Sequence, residues 1–165
     1  MDIAHYRTFA RYNAWANRRL YDACAALPLE DYQRPRASFF GSIHATLNHI
    51  LVGDRLWNGR LTGNLAIGIT ALNQILYPDL ATLRAAREAE DKGLIAFLEG
   101  RDDAWLEGML DYRNMAGETR QDPLRIVMAH IFNHQTHHRG QVHGLLSQTA
   151  VPPPPLDLVY FTREL

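Results

Sequence analysis

The spacing of apolar residues is the feature that most constrains the fold of this 165-residue chain. In four long stretches, apolar side chains recur three and four positions apart, which is the period of an amphipathic helix. The pattern predicts helices over residues 3–26, 41–60, 80–98 and 123–147, with a short final turn over 157–162. Since no sheet and no internal repeat stand out, we predict an all-α protein, most simply a four-helix bundle.

Residues that begin and end helices support these bounds. Each of the last three long helices has a residue at its start whose side-chain oxygen can act as an N-cap. These residues are Ser42, Asp79 and Asp122. Pro123 then falls at the first helical position of the fourth helix, where its missing N–H leaves no helical hydrogen bond unmade. Pro28 ends the first helix, and Gly100 ends the third.

The connecting segments carry turn residues or weak periodicity. Residues 28–40 contain two prolines and are predicted to form a loop, whereas residues 104–121 form a loose hairpin at most. Four consecutive prolines at 152–155 should be extended, because proline does not continue a helix. The total length fits one domain of ordinary size, so we expect residues 1–165 to form a single bundle.

Charge and cysteine content narrow the class of protein. The formal net charge is -1 and no basic block occurs, which disfavours nucleic acid as a partner. The lone cysteine, Cys24, cannot form an internal disulfide, fits a reducing compartment and is expected to be a small core residue. The first residues lack a signal-peptide pattern, and no run approaches the roughly 20 apolar residues of a membrane span. We therefore expect a cytoplasmic protein with no membrane partner.

The chain has eight histidines, and five of them lie between positions 130 and 143. On a helical wheel of about 100° per residue, His138 lies inside the apolar stripe of the fourth helix and His134 lies at its edge. His130 and His137 lie progressively outside the stripe, and His143 points the opposite way. His134 and His138 are therefore the pair that faces the bundle.

Two histidines four residues apart place their imidazoles on adjacent helical turns. Their nitrogens can converge on one metal ion at about 2.0–2.1 Å, and the ion would satisfy two buried rings that otherwise need hydrogen-bond partners. On spacing alone, the alternative that each histidine is a core residue with its own hydrogen-bond partner is about equally well supported. No glutamate follows His134, so the zinc-protease helix motif with its general base is absent.

A metal site needs a third ligand from another helix, and the candidates are His5, His44 and His49. His5 lies near the terminus and His44 near a helix start, so both are expected to be exposed. His49 lies in the middle of an apolar segment. On spacing alone, a core histidine bonded to a backbone carbonyl is slightly favoured for His49 over a metal ligand.

Several polar residues lie where they could support such a site. Asp54 is a candidate to orient a ligand or water, or to pair with Arg55, Arg139 or another helix. Arg139 could bind an anionic substrate instead. For Asn13 and Asn17, hydrogen bonds to helix backbone are favoured over a place in a pocket. Three aromatic residues are expected in the core: Trp15, Trp57 and Tyr160. The solvated face of the third helix is predicted to carry Arg84, Arg87, Glu88, Asp91 and Lys92.

Four segments of the chain form a combination that is more specific than any one of them. They are Asn133–Gln141, Thr46–Ile50 with Asp54 and Trp57, Asn13–Asn17 with Leu20, and Pro154–Leu158. The first contains the pattern His-x-x-x-His-Arg-Gly-Gln. Together they resemble the DinB family, also called DinB/YfiT-like metalloenzymes, and the resemblance covers nearly the whole chain.

The resemblance implies a four-helix bundle with long crossover connections. It implies a metal site made of one histidine of the second helix and two of the last, which by motif match are His49, His134 and His138. It further implies one divalent transition metal ion per chain, zinc or nickel, with waters completing the shell, and a homodimer.

The resemblance also implies a reaction. Three imidazoles leave a coordination position open, and the better-understood relatives are thiol transferases that use a metal-bound low-molecular-weight thiol as nucleophile. We therefore expect thiol transfer, isomerisation or hydrolysis of a small-molecule substrate. Two alternatives are a non-catalytic, damage-inducible metal-binding protein of the stress response, and a bundle whose histidines bind no metal.

Overall fold

The computed structural model describes residues 1–64 and 68–164, most of which are helical. The described chain contains these elements in order: α1 (Ile3–Ala25), α2 (Leu29–Gln33), α3 (Ile43–Thr62), α4 (Leu80–Glu99), α5 (Asp103–Leu106), β1 (Met109–Arg113), β2 (Thr119–Pro123), α6 (Leu124–Leu146) and α7 (Leu158–Thr162). The four long helices are those that the apolar spacing predicts, and the antiparallel β1–β2 hairpin is the small exception to an all-α fold.

Side-chain caps set the starts of the first three long helices. Asp2, Ser42 and Asp79 each accept a hydrogen bond from the backbone N–H three residues further on, at 2.8–3.0 Å. Each bond satisfies an N–H that has no partner inside the helix. At its other end, α3 stops at Gly63, whose φ of 74° is a left-handed conformation that glycine adopts without strain. The predicted caps Ser42 and Asp79 are confirmed.

The four long helices form a ring in the order α1, α4, α3, α6. Helices α1 and α3 are therefore diagonal to each other, as are α4 and α6, and the segments that join them cross an end of the bundle. Helix α3 runs antiparallel to α6, since His49 meets His138 at one level and Trp57 meets His130 at another. Helix α1 likewise runs antiparallel to α4. The long crossover connections are confirmed.

The apolar core contains two large clusters, one at each end of the bundle, and a smaller one where α7 packs on α1. One cluster packs Leu20, Leu47 and Leu83 together, and it includes Cys24, which is buried as predicted. The other contains Tyr6 from α1. Each large apolar side chain contributes about 1.5–3 kcal/mol when it leaves water. The level between the two clusters is occupied by buried polar side chains, and these form the candidate sites.

The connection between α1 and α3 differs from its prediction. Residues 28–40 were predicted to form a loop, but Leu29–Gln33 form the helix α2. Its first turn carries the acidic residues Glu30 and Asp31, which stabilise a helix N-terminus. The buried ring of Tyr32 fixes this turn against the bundle, a tertiary contact that proline spacing does not reveal.

The predicted cap of the fourth helix is also wrong. Asp122 lies in β2 opposite Leu110, and its carboxylate accepts a hydrogen bond from the Tyr112 hydroxyl at 2.8 Å. Because β2 runs directly into α6, Pro123 occupies the cap position and no side chain caps the helix. The loose hairpin predicted within residues 104–121 is confirmed as a regular one that continues to Pro123.

The last helix, α7, packs on the bundle through one aromatic residue. Phe161 is buried against Trp15, which confirms Trp15 as core. Tyr160 is 41% exposed, so its prediction as a core residue is wrong, and Trp57 is only partly buried. Within residues 1–64 and 68–164, no helix combines the length and the apolar character that crossing a membrane would require.

Candidate metal centre

Three histidines meet between α3 and α6. The Nε2 atom of His49 lies 3.1 Å from Nε2 of His134 and 3.2 Å from Nε2 of His138. One ring nitrogen from each histidine falls within 4.8 Å of the other two. We call His49, His134 and His138 the histidine cluster. The structure therefore brings together the three residues that the resemblance selected from eight.

A glycine on α3 allows the two helices to approach this closely. A Cβ added to Gly53 would lie 2.6 Å from Cε1 of His134, closer than any real contact allows. Gly53 follows His49 by one helical turn, so the His134 ring packs against bare backbone. The apolar spacing of α3 does not reveal the role of Gly53, although an isolated glycine inside a helical pattern usually has a packing reason.

Hydrogen bonds orient two of the three rings. Nδ1–H of His49 donates to the backbone carbonyl of Leu72 at 2.8 Å, and Nδ1 of His138 lies 2.8 Å from the side-chain oxygen of Gln141. With Nδ1 protonated in each ring, both Nε2 atoms carry lone pairs and point into the cluster. Metal-binding histidines are commonly held by such a second partner. The ring of Phe40 stacks on His49 at a centroid distance of 3.9 Å.

Burial keeps the cluster neutral. It lowers the pKa of His49, His134 and His138 below the usual 6.5, and that of His134 to about 3, where the neighbouring histidines add to the effect. Neutral rings that present lone pairs to one another cannot all be satisfied among themselves. Two nitrogens bound to one ion at ~2.0–2.1 Å stand ~2.9–3.4 Å apart for right-angle to tetrahedral geometry. The two Nε2 separations of His49 fall in this range, so the donor set fits a metal ion.

The other histidines lie outside the cluster. His130 and His137 are exposed, as the helical wheel indicates. His44 was predicted to be exposed, but it is buried and its Nδ1 lies 2.9 Å from the hydroxyl of Tyr32. The helix α2 covers it, which spacing alone does not show. His5 is half-buried and stacks on Phe9.

A second polar group lies next to the histidine cluster in the bundle core. Arg87 is 2% exposed and forms ion pairs with Asp54 of α3 and, at 2.9 Å, with Asp91 of α4. The prediction that Arg87 and Asp91 belong to a solvated face is therefore wrong. Asp54, which reaches Arg87 from α3, and Asp91, one turn further along α4, hold the arginine inside. A wheel for α4 alone shows only the two charged positions Arg87 and Asp91.

Arg139 extends this group to α6. Its guanidinium donates to the side-chain oxygens of Asn13 and Gln135, and the Gln135 amide donates to Asp54. Asn13 and Asn17 donate in turn to Asp91, so they bond to side chains rather than helix backbone. We call these residues the ion network: Asn13, Asn17, Asp54, Arg87, Asp91, Gln135 and Arg139. Gln135 was missed, although it lies on the apolar side of the α6 wheel.

A cleft of about 410 Å³ opens beside the histidine cluster. Its walls come from α3, α6 and the turn of the hairpin, and residues along it include His49, His134, Trp57, His130 and Arg60. The cleft gives a small molecule a route to two of the three histidines. Arg139, predicted as a candidate for an anionic substrate, does not line it.

Fold and site together define a class of protein: a crossover four-helix bundle with three histidines gathered between two antiparallel helices and a cleft beside them. The sequence matches the DinB family over residues 1–164, and the chain belongs to this family. It is 28% identical over 152 residues to "Protein DinB" of Bacillus subtilis (strain 168), an alignment that covers 88% of this chain and 87% of that protein.

Proposed function

We propose that this protein binds one divalent transition metal ion, zinc or nickel, through the Nε2 atoms of His49, His134 and His138. The observation that carries the proposal is the convergence of three neutral imidazoles with no acidic group among them. Family membership supports the same ligand set, because the matched motifs contain all three residues.

The proposed activity is metal-assisted transfer of a low-molecular-weight thiol, or isomerisation or hydrolysis of a small molecule. An ion held by three histidines keeps positions for other ligands and lowers the pKa of a thiol or water bound there. Leu72 and Gln141 hold two rings in place, and Phe40 shields one face of His49. The cleft supports access for the substrate.

In this proposal Asp54 and Arg139 support the site indirectly, through residues next to the histidines. Asp54 holds Gln135, the residue after His134, and Arg139 follows His138 and is bonded to α1. They fix α6 against its neighbours and do not contact the substrate. A homodimer and a cytoplasmic location complete the proposal. The homodimer rests on the resemblance, and the cytoplasmic location rests on the single cysteine.

Metal analysis of tag-free protein, purified without a nickel column or chelator, tests the metal site. We expect about one ion per chain in the wild type and almost none in His138→Ala, because three ligands become two. His137→Ala is the matched control, since it removes the adjacent, exposed imidazole and should keep the ion. Wild-type protein without metal, from medium that supplies zinc and nickel, would contradict the proposal.

Activity needs a separate test, in which metal-loaded protein is screened with small thiols and electrophilic substrates. Turnover that His138→Ala loses and His137→Ala retains would support an enzyme. If the loaded protein neither turns over nor binds a thiol, the non-catalytic metal-binding protein becomes the better interpretation.

A further inference from the structure

Arg60 lines the cleft beside the histidine cluster. Its guanidinium lies 4.5 Å from the centre of the Trp57 ring and 4.7 Å from that of Tyr112. In residues 1–64 and 68–164, no carboxylate lies within ion-pair distance of it and none of its N–H groups donates a hydrogen bond. By contrast, Arg55 on the same helix pairs with Glu90. Partial burial lowers the pKa of Arg60, and among the described residues it is Tyr112, not a carboxylate, that acts against this shift.

The surroundings of Arg60 favour an anion. None of the described residues that line the cleft is acidic, and the aromatic walls hold the flat guanidinium in place. His130 lies beside Arg60, against the ring of Trp57. An imidazole is either neutral or positively charged, so His130 cannot balance the charge of the guanidinium. A group with two oxygens would engage the guanidinium fork, which is the geometry that carboxylates and phosphates offer.

The distance along α3 separates this position from the histidine cluster. Arg60 follows His49 by eleven residues and Gly53, the contact of His134, by seven. These spacings correspond to about 16 Å and about 10 Å of helix, before the reach of the arginine side chain is subtracted. A ligand that touches both ends of the cleft therefore needs a spacer of several atoms.

We infer that Arg60 is the specificity-determining residue of an oxyanion subsite in this cleft. The substrate carries a carboxylate or phosphate, several atoms away from the group that reaches the histidine cluster. The second half of this statement rests on the proposed metal function, whereas oxyanion binding at Arg60 does not.

The first experiment compares two thiols of equal length on cobalt-loaded protein, where thiolate binding is read from charge-transfer absorption. The wild type should bind 6-mercaptohexanoate on the order of tenfold more tightly than 6-mercaptohexanol, as expected for one charge-assisted contact. In Arg60→Gln the ratio should fall to about one, with the affinity for 6-mercaptohexanol unchanged. The shorter 3-mercaptopropionate should show a smaller preference, because it cannot span the cleft.

Arg120→Gln is the matched control, because it removes an exposed arginine of the hairpin that pairs with Glu118. It should keep the wild-type ratio. Near-ultraviolet circular dichroism and the thermal midpoint report whether the variants fold. If Arg60→Gln is unfolded, Arg60→Lys replaces it, and the loss of the guanidinium fork should lower the ratio by part of the same amount.

A second experiment uses metal-free protein, with binding followed by the NMR shift of the Trp57 indole N–H. Hexanoate or inorganic phosphate should saturate the wild type and not Arg60→Gln, and the tighter of the two identifies the oxyanion. The inference is overturned if the wild type binds the two six-carbon thiols equally well, or if Arg60→Gln keeps the preference for 6-mercaptohexanoate. Either result leaves the metal function standing. Protein that binds no metal but binds hexanoate through Arg60 overturns the metal function alone.

Discussion

The bundle contains two neighbouring polar groups, the ion network and the histidine cluster. They differ in how their buried polar atoms find partners. In the ion network, opposite charges alternate: Arg87 lies between Asp54 and Asp91, and amide side chains link these to Arg139. In the histidine cluster, three groups of one kind face each other. The charges of the network are balanced among its own members, although Nε of Arg87 has no hydrogen-bond partner within the described residues. The histidine cluster itself contains no positive charge that its lone pairs could contact.

This difference separates a structural role from a binding role. Buried charges tend to be kept when each has a partner of opposite sign. Ring nitrogens that all carry lone pairs lack a partner when they face one another beside a cleft, until a metal ion or a proton enters. Burial lowers the pKa of the imidazoles, so a proton is a poor candidate near neutral pH and a metal ion is a good one. The two groups should therefore respond to different perturbations.

The largest effect should follow from breaking the ion network. Arg87→Met leaves Asp54 and Asp91 buried without their cation, and removal of one member of such a pair costs about 3–5 kcal/mol in unfolding free energy. Urea denaturation measures this. Arg84→Met is the control, because Arg84 forms partly exposed ion pairs with Asp22 and Glu88 and should cost under about 1 kcal/mol.

The same variant tests whether the two polar groups are separate. Folded Arg87→Met should keep about one metal ion per chain, since no hydrogen bond joins Arg87 to a histidine in the described structure. Loss of the ion from the folded fraction would show that network and cluster act as one unit. Equal stability of Arg87→Met and Arg84→Met would refute the structural role of the network.

An intermediate effect should follow from filling the space between α3 and α6. In Gly53→Ala the new methyl group meets the His134 ring, so one of the three proposed ligands must turn away. We expect the metal affinity to fall by about 10–100-fold, the range seen when the support of a ligand is disturbed. Competition with a chromophoric chelator measures it.

Gly144→Ala on α6 is the matched control, because a Cβ there meets no atom within 4 Å. It should keep the metal affinity and stabilise the helix by up to about 1 kcal/mol. Wild-type affinity in Gly53→Ala would mean that the close approach of His134 to α3 is not needed for the ion.

The smallest effect concerns pH. Burial holds the pKa of His134 at about 3 in the folded protein, below the ordinary 6.5 of an unfolded chain. Between these values the unfolded state binds more protons, so the contribution of His134 to the stability of metal-free protein is complete above about pH 6.5 and is lost as the pH drops toward 3. Between pH 7.5 and 5, the unfolding free energy of His134→Gln should depend less on pH than that of the wild type. The difference in slope should correspond to a fraction of about one bound proton. Identical slopes would contradict the burial of a neutral ring.

Local patterns predicted most of the fold. Apolar spacing gave the four long helices within one or two residues, and the caps Ser42 and Asp79 act as expected. The errors arose where the chain contacts something distant in sequence. Helix α2 depends on Tyr32 packing in the bundle, and Asp122 is drawn into a hairpin by its partner strand.

The candidate site shows the same division. His134 and His138 are four residues apart on one helix, so local geometry alone places their rings side by side. Spacing slightly favoured a core role for His49, and the resemblance raised it to a ligand. Gly53 and Arg60 were not predicted, because their importance lies in what stands opposite them across the cleft.

By itself, the sequence determined the helices, the face on which each pair of residues lies and the two histidines that share a turn-to-turn contact, because these follow from a period of 3.6 residues. Only the tertiary structure decided which charges are buried. Arg87 and Asp91 look like surface residues on α4, yet α3 brings Asp54 to them. Within the part of the chain that the structure describes, the hairpin places Tyr112 and no carboxylate against Arg60. The physical reason is that the energy of a charge depends on its neighbours in space, and helix packing chooses those neighbours.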